Sequence, residues 1–240
     1  MRLLITRPHD DALNLAQQLN AQGHECVIAP VISIVAQKVA LPSPEHIQGL
    51  AFTSANGVRA LHQRLGSNAS SWLALPAYTV GPQTQLAALA VGFGHAVQAA
   101  GDVESLADLI ASQQPAHADK PILHIAGSHL AGNLQALLAA HNLSVEKAVL
   151  YEALAATDFE PPVANALRQA MFDAVVIYSQ RSARIFIDLF TALELTAPRK
   201  PVAFCLSPAI AHLMQAAGFE ARTAAAADEP AMLDLLQENA

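Results

Sequence analysis

The chain carries its own pattern twice, and that repetition limits what it can fold into more than any other feature. The opening MRLLITRPHDDALNLAQQLNAQGHECVIAPVISI returns as KPILHIAGSHLAGNLQALLAAHNLSVEKAVLYEA, with Leu4 matching Leu123 and Leu19 matching Leu138. LAFTSANGVRALHQRL (50–65) returns as VVIYSQRSARIFIDLF, which sets Ser54 opposite Ser179. YTVGPQTQLAALAVGFGHAV (78–97) returns as FCLSPAIAHLMQAAGFEART, with Gly81-Pro82 opposite Ser207-Pro208. GDVESLADLIASQ (101–113) returns as ADEPAMLDLLQEN, with Asp102 opposite Asp228. The offsets of 119, 125 and 126 residues are too long for a solenoid period and right for a duplicated domain. Two similar domains facing each other make a cleft, and the site is expected between them.

Each repeat reads as strand, helix, strand, then strand, helix, strand, helix and a short final segment. Leu3-Leu4-Ile5 is a short apolar run closed by Thr6-Arg7-Pro8, and a helix is expected from about Asp10 to Gln22, stopped by Gly23. Val27-Ile28-Ala29, Leu50-Ala51-Phe52 and Ala77 to Val80 are the next strands, with a helix beginning near Gly57 and another opened by Gly81-Pro82. Their counterparts are Ile122 to Ile125, Ala148 to Leu150, Ala174 to Ile177 and Val202 to Leu206. Two extended runs, Ile34 to Val39 and VLYEAL from Val149, lie beyond the second strand of each half and are expected to pair as a connector. Of 240 residues, 53% are apolar and only 14% charged, and Ala, Leu and Val outnumber aromatics; this suits helices on a parallel sheet.

The same totals narrow the partners. A net charge of −7 without a basic run argues against nucleic acid and acidic membrane surfaces. No apolar run reaches the roughly 18 residues of a membrane span, and the chain opens on a strand, so a cytoplasmic location is expected. Cys26 and Cys205 lie far apart in apolar runs and read as small core residues in a reducing compartment.

In open parallel sheets, ligands collect where strands hand over to helix N-termini. Small polar residues are concentrated there: Thr6-Arg7, Thr53-Ser54-Ala55-Asn56, Gly81-Pro82-Gln83-Thr84, Gly127-Ser128, Ser179-Gln180-Arg181-Ser182 and Ser207-Pro208. Free backbone N–H groups and helix dipoles make such turns carboxylate or phosphate sites, each worth on the order of 0.3–1 kcal/mol per charge. Taken singly, each Ser, Thr or Asn is an N-cap; the same decoration in corresponding positions of both halves argues for a shared polyanionic ligand. There is no GxxxxGK[ST], GxSxG, HExxH or CxxC. Gly92-Phe93-Gly94 follows a helix and reads as a C-cap, and His124 reads as a packed strand residue, so neither a metal nor a nucleotide cofactor is expected. Arg7 is a candidate anion clamp, with a surface ion pair as the alternative. Tyr151, in the connector run, is placed either to offer its phenol as a proton or hydrogen-bond donor or to pack the hinge.

Taken in order, ITRP (5–8), Pro30, FTSANGV (52–58), VGPQT (80–84), the G-x-x-E-S-L-A run from Gly101, Ala126-Gly127, Leu150-Tyr151, IYS (177–179) and the final S-P-x-x-A from Ser207 resemble the uroporphyrinogen-III synthase family over essentially the whole chain. The second half departs from the family's common Gly-Pro-Thr-Thr-Ala turn, having Ser207-Pro208-Ala209-Ile210-Ala211. The resemblance implies two similar Rossmann- or flavodoxin-like parallel-sheet domains, one discontinuous (1–35 plus 156–240) and one spanning 40–148. Residues 34–39 and 149–155 would be paired connector strands letting the domains hinge about a cleft.

It also implies a substrate, hydroxymethylbilane, a linear tetrapyrrole with eight carboxylates. Loss of its hydroxyl gives an azafulvene, and the far pyrrole attacks through its substituted carbon to form a spiro intermediate. That ring reopens and closes the other way, giving uroporphyrinogen III and water. The bilane closes unaided to the symmetrical type I isomer. Holding its ends in one geometry, worth up to roughly 7–11 kcal/mol in well-oriented systems, would decide the race without a cofactor. Tyr151 would assist departure of the hydroxyl. The substrate would lie against Arg7, Ser54, Ala55, Asn56, Gly81, Gln83, Thr84, Gly101, Gly127, Ser128, Ser179, Gln180, Ser182 and Ser207, with Lys147, Arg181 and Arg184 offsetting the protein's negative charge. A monomer is implied, with at most transient contact with the enzyme that makes the bilane. A hinged binding protein and a tetrapyrrole-binding family member without synthase activity are the competing readings.

Overall fold

The computed structural model describes residues 1–114, 119–128, 132–195 and 199–239. The chain runs β1 (Arg2–Ile5), α1 (His9–Ala21), β2 (Glu25–Ile28) and β3 (Ile32–Ala36), then β4 (Gly49–Phe52), α2 (Ala55–Leu65) and the one-turn α3 (Ser70–Leu73). It continues with β5 (Ala77–Thr79), α4 (Pro82–Ala90), β6 (Ala96–Gln98) and α5 (Val103–Gln113). The second half runs β7 (Ile122–Gly127), α6 (Leu134–Ala140), β8 (Val145–Ala155), α7 (Pro161–Arg168), β9 (Ala174–Ile177) and α8 (Gln180–Thr191). It ends with β10 (Val202–Cys205), α9 (Pro208–Ala216), β11 (Ala221–Thr223) and α10 (Glu229–Gln237).

These elements form two compact units, the first made of Met1–Ser33 with the chain from Leu154 onward, the second of Ile34–Ala153. One sheet has the order β11-β10-β9-β1-β2 and the other β3-β8-β7-β4-β5-β6. All pairings among β1, β2, β9, β10 and β11 are parallel, as are those among β4 to β8. Taking β7 and β8 as the partners of β1 and β2 in the repeat, both units have the strand order 2-1-3-4-5 of doubly wound flavodoxin-like sheets. Each sheet therefore joins the front of one repeat to the back of the other. The exchange happens because the chain leaves unit 1 within β3 and returns within β8, which are neighbours in one sheet, where the Gln37 N–H donates to the Leu150 carbonyl at 2.7 Å.

Alternation along the strands builds the cores. In unit 2, Leu50, Phe52, Leu123 and Ile125 join Val58, Leu61 and Trp72 on one side of the sheet. Ala51 and Ile122 join Tyr78, Leu106, Ile110 and Leu138 on the other. Covered on both faces, such strands are apolar at every position. In unit 1, Leu3, Ile5, Val176 and Phe204 meet Leu15, Leu19, Met232 and Leu236.

Two boundaries differ from the sequence reading. α2 begins at Ala55 rather than near Gly57, because Ser54 takes an extended backbone and caps the helix. The run around Val149 is not a strand followed by a separate connector but one strand of 11 residues. In the first repeat Pro30 divides β2 from β3, since proline has no N–H for the ladder; Val149 stands at the matching position and lets β8 continue.

Candidate functional site

In unit 2 the ladder between β7 and β8 slips beside Tyr151: Ala126 pairs with Val149, but Gly127 pairs with Tyr151. Such an extra residue re-aims the side chain next to it. The Tyr151 ring lies across Gly127. A Cβ at that position would stand 2.7 Å from ring Cε2 and 2.8 Å from Cζ, so glycine is what leaves room for the ring. The Tyr151 carbonyl accepts the Ser128 N–H at 3.0 Å, fixing the strand's backbone to the same turn.

Tyr151 is 7% exposed, and its phenol is hydrogen-bonded to the Ser54 side chain. Burial pushes its pKa above the ordinary phenol value, while the Ser54 bond and the Arg59 charge oppose that rise. Ser54 Oγ in turn accepts the Asn56 N–H at 3.2 Å. Arg59, one turn along α2, donates from Nη2 to Asn56 Oδ1 at 2.5 Å. The residues Tyr151, Ser54, Asn56 and Arg59 thus form one hydrogen-bonded and electrostatic group at the start of α2, seated on Gly127. Sequence reasoning selected Tyr151, Ser54, Asn56 and Gly127 but missed Arg59, which reads as part of a solvated helix face. The signal available was its spacing of three from Asn56 in the first turn after the capping serine.

The other unit 2 candidates lie at neighbouring turns. Gly81 caps α4, and a Cβ on it would come within 3.7 Å of the Gly101 Cα, so these two turns adjoin. Gly101 has φ +116 and leads into Asp102, whose carboxylate accepts the Ser105 N–H at 2.8 Å as the cap of α5. The Ser105 side chain and, to a lesser degree, that backbone bond hold the Asp102 pKa below the usual carboxylate value. Ala55 is half-buried, Gln83 and Ser128 are exposed, and Thr84 is buried. His124 is 4% exposed, and burial, with Lys147 across the ladder, lowers its pKa to about 4; its Nε2 lies 3.4 Å from Thr53 Oγ1. It is a neutral imidazole at ordinary pH.

Unit 1 treats the matching positions differently. Arg7, expected as an anion clamp, is 9% exposed and already met by carboxylates: Nη1 reaches Glu229 Oε2 at 2.5 Å and Nη2 reaches Asp11 at 3.6 Å. Its guanidinium also stands over the Tyr178 ring, 4.1 Å from the centroid. Neither an open clamp nor a surface pair, it is part of an enclosed ion cluster. Ser179 caps α8 by accepting the Ser182 N–H at 3.0 Å, and the two hydroxyls lie 2.8 Å apart. Ser182 is buried by this exchange, so its side chain is not presented outward, while Gln180 is exposed. Ser207 caps α9 without a side-chain bond. Ile210, part of the departure noted in the sequence, is a buried residue of the same helix and stands where Thr84 is buried in unit 2, so packing accounts for it. Arg184 leans on the Gln180 side chain at 3.5 Å.

Among the described residues no group of three or more His, Cys, Asp or Glu is placed to hold a metal, and no helix is long and apolar enough to cross a membrane. The class defined by fold and site is a two-unit, doubly wound α/β protein with polar groups at the helix N-termini of each unit and, within unit 2, a buried phenol at one of them. A family model described as HEM4, uroporphyrinogen-III synthase HemD, matches residues 14–234. The chain belongs to the uroporphyrinogen-III synthase family, an enzyme family of tetrapyrrole biosynthesis. Among solved structures, the uroporphyrinogen-III synthetase of Helicobacter pylori 26695 is similar at a TM-score of 0.68 and 18% identity, covering 100% of both chains. A mutant uroporphyrinogen III synthase from the extremely thermophilic bacterium Thermus thermophilus is similar at a TM-score of 0.54 and 17% identity, covering 99% of this chain and 98% of that one. These likenesses speak to the fold. Among curated proteins no match was found.

Proposed function

We propose that the protein cyclises hydroxymethylbilane to uroporphyrinogen III, with inversion of the last pyrrole ring and loss of water, and needs no cofactor. Beyond family membership, the observation that carries this reading is the Tyr151 phenol, buried, seated on Gly127 and hydrogen-bonded to Ser54. A phenol kept protonated by burial is a weak acid that gives up its proton when strong negative charge develops beside it. The hydroxyl leaving the bilane is such a group. Tyr151 donates its proton as the C–O bond breaks, the electron pair departs with oxygen, and water forms together with an azafulvene. The far pyrrole attacks through its substituted carbon to give the spiro intermediate, which reopens and closes in the other sense. Loss of a proton from the final pyrrole carbon restores aromaticity and reprotonates the phenolate, so the sum is bilane to macrocycle plus water.

The substrate's carboxylates suit N-terminal turn amides better than side-chain cations in a chain of net charge −7. In unit 2 these are the turns at Ser54–Asn56, Gly81–Thr84 and Gly127-Ser128; in unit 1 they are those at Ser179–Ser182 and Ser207. The reading takes the protein as a cytoplasmic monomer, in keeping with its free cysteines Cys26 and Cys205. The test supplies hydroxymethylbilane generated in situ, oxidises the products and separates the porphyrin isomers. Type III is expected with the protein and type I without it. Type I alone in the presence of folded protein would overturn the proposal and favour a binding role.

A further inference from the structure

Arg59 and Ser54 stand beside the reacting phenol without being needed to hold the fold's core. Ser54 Oγ accepts the Asn56 N–H and keeps its own O–H, which it can turn to the phenol oxygen once that oxygen has lost its proton. Arg59 is held in place through Asn56 Oδ1. The ring itself cannot retreat toward the β7 backbone, because it rests on Gly127. Tyr151 is therefore held by Gly127 beneath its ring and by a hydrogen bond to Ser54 at its oxygen, with the positive charge of Arg59 acting on it as well.

We infer that Ser54 and Arg59 are positioning residues that act through Tyr151, holding its phenol in place and stabilising the phenolate left when its proton passes to a bound substrate. The inference rests on the reading of Tyr151 as the proton donor. When the phenol gives its proton to the leaving hydroxyl, the O–H bond pair stays on the tyrosine oxygen. The Ser54 hydroxyl and the Arg59 cation then face the new negative charge, and both are already in place, so little reorganisation is needed. The other charged groups of the surrounding elements have their own engagements. Glu152, next along β8, takes the Gln37 amide from β3 at 3.2 Å. His124 of β7 is neutral, Lys147 acts on His124, and His62 and Arg64 lie exposed further along α2. Among the described residues, Arg59 is the charge that acts on this phenol.

The experiment uses the intact protein with its three tyrosines carbon-13 labelled at Cζ, and Tyr151 is assigned by the signal missing in Tyr151→Phe. Arg59→Gln is expected to move the Tyr151 titration upward, and Arg59→Lys to keep it near the parent. In the cyclisation assay Arg59→Gln is expected to lower kcat about tenfold with KM little changed, and Arg59→Lys to recover most of the loss. A Tyr151 titration in Arg59→Gln that superimposes on the parent's overturns the inference. So does a raised KM at unchanged kcat, which would make Arg59 a direct carboxylate grip. The titration needs no substrate. If the parent protein forms no type III product, the proposed activity fails while the coupling of Arg59 to Tyr151 is still measured.

Discussion

The two units share a strand order and differ at the same turn. Unit 2 ends β7 on Ala126-Gly127, which lets the Tyr151 ring lie on the backbone; unit 1 ends β1 at Ile5 and continues through Arg7-Pro8 at the matching positions. Tyr151 answers to Ile32 in the repeat, Arg7 to Ala126, Glu229 to Val103 and Tyr178 to Thr53. Unit 1 has thus filled its turn with an internal ion cluster of Arg7, Asp11 and Glu229 over an aromatic ring. Unit 2 has kept its turn small and placed a phenol there. The lesson is that a duplication can preserve topology while one copy closes its turn with an internal ion cluster and the other seats a buried, hydrogen-bonded phenol there.

The sharpest way to break that contrast is Gly127→Ala. The new methyl would overlap the Tyr151 ring and force the phenol off Ser54. Type III formation is expected to fall about 100-fold, the scale of losing a general acid. Overpacking should cost about 1–3 kcal/mol of stability, read by urea unfolding. Near-normal activity at normal stability would show that the seat of the ring does not matter.

The second variant targets the other unit. Arg7→Ala leaves Glu229 and Asp11 facing each other in a half-buried site and should destabilise the protein by about 2 kcal/mol, less than a fully buried pair because Glu229 keeps some solvent. Replacing the pair with apolar side chains, as Arg7→Met with Glu229→Val, the residue unit 2 carries at the latter position, should restore most of that loss. If Arg7→Ala instead weakens substrate binding at unchanged stability, Arg7 is a clamp after all.

A smaller effect is expected from His124. Its folded pKa of about 4 lies below the ordinary histidine value of 6.5, so the unfolded chain binds the extra proton first as the pH falls. Stability is therefore full above 6.5 and declines as the pH drops toward 4, by up to about 3 kcal/mol from this residue. His124→Leu should flatten the stability profile between those two values. A profile as steep as the parent's would mean that burial does not hold the ring neutral.

Much of this architecture was legible in the chain. Apolar runs at Leu3–Ile5, Leu50–Phe52 and Ala174–Ile177 are buried strands covered on both faces, so their sequence has no alternation to obscure them. The Thr-Ser-Ala-Asn and Ser-Gln-Arg-Ser turns are helix caps because their serines precede helical stretches. Tyr151 stood out as a polar aromatic in an otherwise aliphatic run. The ion cluster was not legible, since Arg7 and Glu229 are separated by 222 positions and meet only because β1 and α10 belong to the same unit. Arg59 was passed over for the opposite reason: an arginine on a helix is ordinary, and the phenol its charge acts on lies beside a slip in the β8 ladder that no local pattern announces.

The most direct test of the account compares parent and Tyr151→Phe for the fraction of type III isomer at matched protein concentrations. Spontaneous closure to type I serves as the internal clock. The account expects the parent to give mainly type III, and Tyr151→Phe, folded and equally stable, to give mainly type I until its concentration is raised about 100-fold. Equal type III fractions at every concentration would contradict it.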